Sequence, residues 1–228
     1  FFQGDRATAG ARTAGIVLTR TNCGTTISSN YIDNAFIEWS NEHDSDPAFT
    51  GWFSFGALSV TGNTFLSGSV APWVAYIVVK PHGSGHFLNG VNISGNIFRS
   101  INGTMTRVEK VDTSFADLDF GRSKDVVMSA NTFNNIDIPA ANPAVLRHVQ
   151  NTEAKNWIVE AGQSLAFGGW ARNVTAVAPV GAIRTDANVR HHGWAHVDVP
   201  YGPTKRQVEL TWDKEVRGQA LVTVRMDN

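Results

Sequence analysis

The chain has 228 residues, of which 17% are charged, and its 19 lysine and arginine residues almost balance its 20 aspartate and glutamate residues. A formal charge of −1 without a basic run excludes the phosphate-neutralising surface of a nucleic-acid-binding protein, so we expect no nucleic-acid partner. The single cysteine, Cys23, excludes an intrachain disulfide framework, and we expect it to be a small buried apolar residue.

The N-terminal part begins with a strand-like segment and shows no targeting signal. Residues 15–18 are apolar and follow the opening Phe1–Gly4 closely, and the opening lacks the charged-then-apolar layout of a signal peptide. The longest apolar run, residues 73–79, is far shorter than the ~20 residues of a spanning helix, so we expect no membrane insertion.

A short pattern then recurs four times. Its order is apolar, Ser or Thr, small, Asn, any residue, apolar, and its copies are residues 27–32, 60–65, 93–98 and 128–133. The asparagines of the copies are Asn30, Asn63, Asn96 and Asn131, so they are separated by 33, 33 and 35 residues. A fixed period of this kind indicates a stack of similar units.

The chemistry of the repeat predicts strands, although ankyrin repeats have a similar length. The copies are rich in β-branched and aromatic residues, alternate apolar and polar, and contain glycine or asparagine, which tolerate a left-handed bend. Each copy is therefore predicted as strand, sharp turn, strand. Stacking would place the four asparagines in a hydrogen-bonded column, with Ile32, Phe65, Phe98 and Phe133 stacked inside. The alternative is four unrelated turns in separate hairpins.

Segments such as Val91–Phe98, with the order Val-Asn-Ile-Ser-Gly-Asn-Ile-Phe, resemble the coils of the pectin-lyase-like superfamily, which includes pectate lyases, polygalacturonases and phage tailspikes. The resemblance covers about residues 10–160. It implies an all-β, right-handed parallel β-helix with three short strands per coil, an asparagine ladder at one turn, and frequent work on polysaccharides. Coils of that family are commonly shorter than this repeat, so roughly ten residues per coil are expected to be loop excursions.

Three excursions are predicted, at residues 38–52, 80–86 and 102–112, because these stretches contain proline, glycine or clustered acids and lack apolar periodicity. In a stack of coils, such loops should line up along one side.

The best candidate catalytic pair is Asp117 and Asp119. Alternation in residues 115–120 predicts a strand with both carboxylates on its outer face, roughly 7 Å apart, which would suit an inverting glycosidase. The alternative is a solvated pair on an outer face. The catalytic segments of polygalacturonases are missing, since only Gly85 and His86 match and Phe87 follows, so no catalytic role carries over.

Sugar contact is the second candidate chemistry. An aromatic face flanked by acids and amides suits a sugar ring and its hydroxyls, and several aromatic residues cluster around the first two excursions. The candidate carbohydrate-binding residues are Trp39, Glu42, Asp44, Trp52, Trp73, His86 and Glu109. We expect no cofactor and no metal: the acids at 42, 44 and 46 could supply calcium ligands without a fixed geometry, and the histidines of residues 191–196 have no recognisable metal spacing.

The repeat fails after residue 143, and the C-terminal part has a different character. Residues 156–160 resemble a last strand of a closing coil, which gives domains at 1–160 and 161–228. Strands are predicted at 165–167, 173–177, 182–185, 196–199, 207–212 and 220–225. Their length and spacing indicate a small antiparallel β-sandwich that caps the stack or joins copies.

The combination of a coil stack and a β-cap resembles a phage tailspike or head-spike fragment. This resemblance implies a homotrimer on the surface of a phage or phage-like particle that attaches to a host polysaccharide. The Trp/His-rich stretch at residues 194–212 is the candidate contact between copies. The alternatives are a polysaccharide-degrading hydrolase or lyase of the same fold and a structural fibre segment.

Overall fold

The computed structural model describes residues 2–3, 14–21, 24–44, 54–68, 71 and 73–228, and the chain divides into two compact units, Phe1–Ala141 and Asn142–Asn228. Both units are built of β-strands, as the composition predicts. Within the described ranges, no helical segment has the length and apolar character needed to span a bilayer. Cys23 and Trp52 lie outside the described residues.

The described strands of the first unit form three parallel sheets. The first sheet contains β1 (Phe2–Gln3), β4 (Tyr31–Asp33), β7 (Thr64–Gly68), β10 (Ile97–Ile101) and β13 (Thr132–Asn134). The second contains β2 (Ala14–Leu18), β5 (Phe36–Ser40), β8 (Ile77–Lys80) and β11 (Glu109–Val111). The third contains β3 (Thr25–Ser28), β6 (Phe55–Thr61), β9 (Leu88–Ser94) and β12 (Lys124–Ser129). Each sheet takes one strand from each successive repeat, which is compatible with a β-helix-like fold.

The predicted asparagine column is confirmed at the turn between the third and first sheets. The Oδ1 atom of Asn63 accepts hydrogen bonds from the backbone N and the Nδ2 of Asn30, at 3.0 and 3.1 Å. Asn96 accepts from Asn63 in the same way, at 3.0 Å for both bonds. Asn131 accepts from Asn96 at 2.9 and 3.0 Å. The amides also donate to backbone carbonyls, so the column ties each turn to the next one.

The left-handed residue of each turn is the small residue before the asparagine, and not the asparagine itself. Its φ is 58° at Ser29, 64° at Gly62, 65° at Gly95 and 54° at Ala130. A small residue suits this backbone because glycine has no Cβ to clash with the neighbouring carbonyl. The asparagine side chain is then available to bond to the neighbouring turn.

A second column of left-handed residues has the same period and was not predicted. Its members are Gly24, Ala57, Gly90 and Asp125, with φ of 57°, 57°, 68° and 49°. Their spacings of 33, 33 and 35 residues equal those of the asparagines. These residues lie at or near the beginning of the strands of the third sheet, where each strand leaves the preceding loop.

The predicted inner stack of aromatic residues is also confirmed. In the first sheet, Ile32 pairs with Phe65, Phe65 with Phe98, and Phe98 with Phe133. The rings of Phe65 and Phe98 stack at 5.0 Å, and those of Phe98 and Phe133 at 5.7 Å. Buried Tyr76 packs beside the first two rings. This row supplies continuous dispersion contacts along the unit.

The second unit contains one antiparallel sheet among its described residues. Its strands are β14 (Ala144–Glu160), β15 (Asn173–Pro179), β16 (His196–Tyr201) and β17 (Gln207–Arg225). The 19-residue strand β17 is central and pairs with each of the other three. An antiparallel C-terminal β-domain is therefore confirmed.

Several details of the predicted C-terminal part are wrong. The division between the units lies at residues 141 and 142, because residues 144–160 pair with β17 and do not close the parallel stack. Residues 165–167 overlap a 3-10 turn, Ala166–Gly168. Residues 182–185 form isolated bridges only, and the two segments predicted at 207–212 and 220–225 belong to one strand.

The core of the second unit contains two tryptophans. The rings of Trp157 and Trp212 lie 4.9 Å apart, and the Nε1 of Trp157 donates to the carbonyl of Val216 at 3.1 Å. Trp212 is 2% exposed whereas Trp194 is 80% exposed, so of the tryptophans that bound the stretch predicted to join copies only Trp194 has a free surface within this chain.

Candidate functional site

The loops that follow the second sheet begin at the same edge. They start after β5, β8 and β11 at residues 41, 81 and 112, and lead to the third sheet at residues 55, 88 and 124. Because parallel strands end at one edge of their sheet, these loops are neighbours there. Of the first predicted excursion, residues 38–40 belong to β5, residues 41–44 are loop, and residues 45–52 lie outside the described residues. The second is close to its prediction, at residues 81–87, while the third is residues 112–123. The predicted range 102–112 instead covers the turn before β11 and that strand itself.

A stacked aromatic pair, of which one ring is exposed, lies on these loops. Phe115 is 62% exposed, and its ring stacks on that of His82 with centroids 4.2 Å apart and an interplanar angle of 18°. The Nζ of Lys80 lies 5.1 Å from the centroid of Phe115, and the Nε2 of His82 lies 4.0 Å from the Oε2 of Glu42. We call Glu42, Lys80, His82 and Phe115 the excursion face. Its residues lie at or near the start of each of the three loops.

The side chains of the excursion face belong to the types that can contact a sugar. An exposed phenyl ring offers an apolar face for the C–H groups of a pyranose, and the ammonium, imidazole and carboxylate groups beside it can bond to hydroxyls. Glu42, one of the predicted binding residues, is part of it. Phe115, His82 and Lys80 were missed, although His82 and Phe115 are 33 residues apart, which is one repeat.

Asp44, another predicted binding residue, lies on the first loop. Its Oδ2 accepts a hydrogen bond from the hydroxyl of Thr21 at 3.1 Å, across 23 residues of sequence. The bond ties the loop after β5 to the loop after β2, so the described part of the first excursion is held at its base.

Asp117 and Asp119 do not lie on a strand, which corrects the prediction. Residues 112–119 are loop, and a 3-10 turn, Phe120–Arg122, follows. The Oδ1 of Asp119 accepts from the backbone N of Gly121 at 3.0 Å and caps this turn, and the Oδ1 of Asp117 accepts from the N of Leu118 at 2.7 Å. The alternation that predicted a strand arises because Leu118 and Phe120 anchor the loop in the core.

Three of the predicted sugar-binding residues are buried, so their side chains have almost no exposed surface in this structure. Trp39 is 1% exposed, packs edge-on against Phe55 at 5.1 Å, and donates from Nε1 to the carbonyl of Arg20. Glu109 is fully buried and pairs with Arg107. His86 is 1% exposed. None of the three offers a face to a ligand, because each points into the interior of the first unit.

His86 belongs to a buried polar network with Ser54 and Asn41. Asn41 donates from Nδ2 to the carbonyl of His82 and accepts at Oδ1 from the N of His82, which fixes the orientation of its amide. Its Nδ2 therefore donates to the Nε2 of His86 at 2.9 Å, and in the neutral ring Nδ1 carries the proton and donates to the Oγ of Ser54 at 2.8 Å.

This direction is opposite to that of a nucleophilic serine, whose hydroxyl donates to the histidine. Ser54 also accepts from the N of Phe87 at 3.0 Å and is fully buried. The network therefore holds the bases of two excursions together.

Trp73 lies on the turn between the first and second sheets, away from the loops that carry the excursion face. It is half-buried, packs edge-on against Phe36 at 6.2 Å, and its carbonyl accepts from the Nζ of Lys110 at 2.7 Å.

In the described part of the chain, no three His, Cys, Asp or Glu side chains form a group that could hold a metal ion.

His191 packs in the second unit and not in a group of histidines. Its ring meets that of Trp212 edge-on at 5.8 Å, and its Nε2 lies 3.1 Å from the Oδ1 of Asp213.

Comparisons of the chain with protein-family models, with curated proteins and with solved structures find no match, so no relative assigns a role to any of these residues.

Proposed function

We propose that the first unit is a right-handed parallel β-helix and that its excursion face binds a polysaccharide. The observation that carries the proposal is the exposed ring of Phe115 stacked on His82, with Lys80 and Glu42 beside it. Stacking on an aromatic ring and hydrogen bonding to charged groups are the two interactions that neutral sugars require.

The wider role that we propose is attachment of a phage or phage-like particle to a host surface glycan, as a homotrimer on the surface of the particle. The support is the resemblance of the asparagine repeat to tailspike coils and the presence of a separate C-terminal β-unit. The mass of the native assembly in solution, measured by light scattering, tests the trimer, and a monomeric mass refutes it.

Binding is favoured over cleavage by the hydrogen bonds of the candidate catalytic pair. Asp117 and Asp119 each accept a bond from a nearby backbone N–H group, which is the behaviour of residues that shape a loop. A hydrolase or lyase of the same fold is the second candidate. Asp117 and Asp119 remain its candidate acid and base, because each side chain keeps one further carboxylate oxygen.

The test is a glycan array probed with the wild-type chain and two variants. Phe115→Ala removes the exposed ring, and the matched control Ile97→Ala removes a 45% exposed side chain from the first sheet. We expect Phe115→Ala to lose about tenfold or more in affinity for the bound glycans, because one stacked ring contributes on the order of 1–2 kcal/mol. Equal binding by the wild type and Phe115→Ala refutes the proposed site.

A cleavage assay on the bound glycans separates the remaining classes. Release of fragments that is abolished in the double variant Asp117→Asn, Asp119→Asn supports the enzyme. Both asparagines keep an acceptor oxygen for the backbone bonds, so the loop should persist. Binding without release supports attachment, and no binding to any glycan supports a structural segment.

A further inference from the structure

The second unit contains a cavity that the proposed function of the first unit does not use. Its volume is about 410 Å³, within the roughly 300–1,000 Å³ of small-molecule sites. Its lining comes from two segments, residues 179–183 at the end of β15 and residues 190–194 before β16. The cavity lies entirely within the second unit.

Backbone hydrogen bonds hold the two walls together. The N of His191 donates to the carbonyl of Ile183 at 2.9 Å, and Arg184 exchanges two backbone bonds with Arg217 of β17, at 3.0 and 2.8 Å. Ile183 is 4% exposed and anchors the first wall in the core. Since both walls are tied to the sheet, the site is formed without a ligand, which lowers the entropy lost on binding.

The close packing of the second wall depends on Gly193. A Cβ at this position would lie 2.5 Å from the Nε2 of His191 and 3.4 Å from the Oδ1 of Asp213. Only a residue without a side chain fits there without displacing the imidazole. His191 is therefore held between Gly193 and the ring of Trp212 at the base of this wall.

The side chains that line the cavity favour one kind of ligand. Trp194 is 80% exposed and offers its indole to a ring, and Pro179, Ala182 and Ile183 add apolar surface. Arg190 and His192 add donors. No aspartate or glutamate lines the cavity, and in the described part of the chain Arg190 forms no ion pair, in contrast to Arg217 and Arg225, which pair with Asp186 and Asp227.

We infer that this cavity binds an anionic sugar: a ring that stacks on Trp194 and carries a negative group for Arg190. A guanidinium matches the two oxygens of a carboxylate or phosphate, and charge-assisted bonds of this kind are about twice as strong as neutral ones. The aromatic ring, the apolar wall and the lone cation are the three features that such a ligand needs. The inference does not depend on the excursion face.

The experiment is titration calorimetry and ligand-observed NMR on the full chain with four probes: glucuronate, glucose 6-phosphate, glucose and inorganic phosphate. We expect one of the two charged sugars to bind at least about tenfold more tightly than glucose and than inorganic phosphate, because only it uses both the ring and the cation. Which of the two binds more tightly distinguishes a carboxylate from a phosphate ligand.

The variants assign that binding to the cavity. Trp194→Ala and Arg190→Gln should each weaken the charged sugar about tenfold or more, while Val189→Ala, at a 60% exposed neighbour outside the lining, should not. Phe115→Ala in the first unit should also leave this binding unchanged. The inference is overturned if no probe binds, if glucose binds as tightly as both charged sugars, or if Trp194→Ala and Arg190→Gln leave the affinity unaltered.

Discussion

The asparagine column predicts that a substitution in its middle costs much more stability than a substitution at its end. Asn96 is 1% exposed and its side chain makes four hydrogen bonds. It accepts from the N and Nδ2 of Asn63 and donates to the carbonyl of Val60 and to the Oδ1 of Asn131. At the end of the column, Asn30 makes two side-chain bonds, one to the nearby carbonyl of Ser28 and one to Asn63.

The expected loss of stability in each variant follows from these bonds. A hydrogen bond contributes about 1 kcal/mol net, and a buried donor left without an acceptor costs about 1–3 kcal/mol. Asn96→Ala removes all four bonds and leaves the backbone N of Asn63 without its acceptor, while the Nδ2 of Asn63 keeps the carbonyls of Ile27 and Thr61. We therefore expect a loss of about 4 kcal/mol in local stability. Asn30→Ala leaves no donor of the column without its acceptor, and we expect a loss of about 1 kcal/mol.

The assay is native-state hydrogen exchange read by mass spectrometry on peptides from residues 54–101. A local assay is chosen because the expected loss is confined to neighbouring turns, and hydrogen exchange reports on the amides of those turns separately. A difference of about 3 kcal/mol between the two variants corresponds to roughly a hundredfold difference in exchange rate at the slowest amides of β6 and β9.

Equal acceleration of exchange in the two variants would refute the reasoning. It would mean that the hydrogen bonds of the column form when the turns stack but do not stabilise the stack. Asn96→Asp supplies a further check, since its protonated carboxyl keeps an acceptor oxygen for Asn63 but has one donor hydrogen in place of the two that the amide gives to Val60 and Asn131. We expect it to be intermediate between wild type and Asn96→Ala at a pH low enough to keep the new carboxyl protonated.

Three further predictions concern single positions in the first unit. Gly95→Ala should destabilise and Ala130→Gly should stabilise by similar amounts, about 1 kcal/mol each on thermal unfolding, because both residues have φ above 50° in equivalent turns. A Cβ at Gly95 would meet no atom closer than 3.9 Å, so backbone strain is the only cost. Burial raises the pKa of Tyr76 well above its ordinary value of 10.0. The folded chain then keeps the phenol proton to higher pH than the unfolded chain, so the stability that Tyr76 contributes is complete below about pH 10 and is lost as the pH rises further. Tyr76→Phe should therefore be less stable than wild type at about pH 8, with a gap that narrows by about pH 11 in urea titrations, and a gap that widens contradicts this. Ser54→Ala removes the hydroxyl that accepts from the ring N–H of His86 and from the N–H of Phe87, and should lower stability by about 2–4 kcal/mol. Ser54→Thr keeps a hydroxyl and should retain most of this stability in the same titrations.

The repeat could be predicted from the sequence because its turn is local and its period is long. Six residues define the turn, and their recurrence every 33 residues leaves few alternatives to stacking in register. The second left-handed column, Gly24, Ala57, Gly90 and Asp125, has the same spacing and escaped notice because its members share a backbone conformation and not a side-chain type. The period alone was therefore not sufficient, and a shared side-chain type was needed to recognise a column from the sequence.

The C-terminal errors have a different origin. Residues 156–160 alternate apolar and polar like any strand, and this alternation is the same in parallel and antiparallel pairs. Whether they close the coil stack or pair with β17 depends on contacts with residues more than forty positions away, beginning with the register Trp157 to Leu210. Local pattern carries no information about such a partner, and the predicted boundary therefore lies about twenty residues beyond the division between the two compact units.

The candidate site shows which aromatic residues a repeat can present to a ligand. Trp39 lies within β5, in register with Val79 of β8. Every residue of β5 is buried, so the ring of Trp39 is surrounded by packed side chains. Phe115 lies four residues beyond the end of β11, where the chain has left the sheet, and it meets His82 from the preceding loop. Aromatic content near an excursion is therefore a poor guide to exposure of the ring, whereas position relative to the strand end is a good one. An aromatic residue beyond the last paired residue of its strand, with a ring one repeat away, is the pattern that should be sought in such sequences.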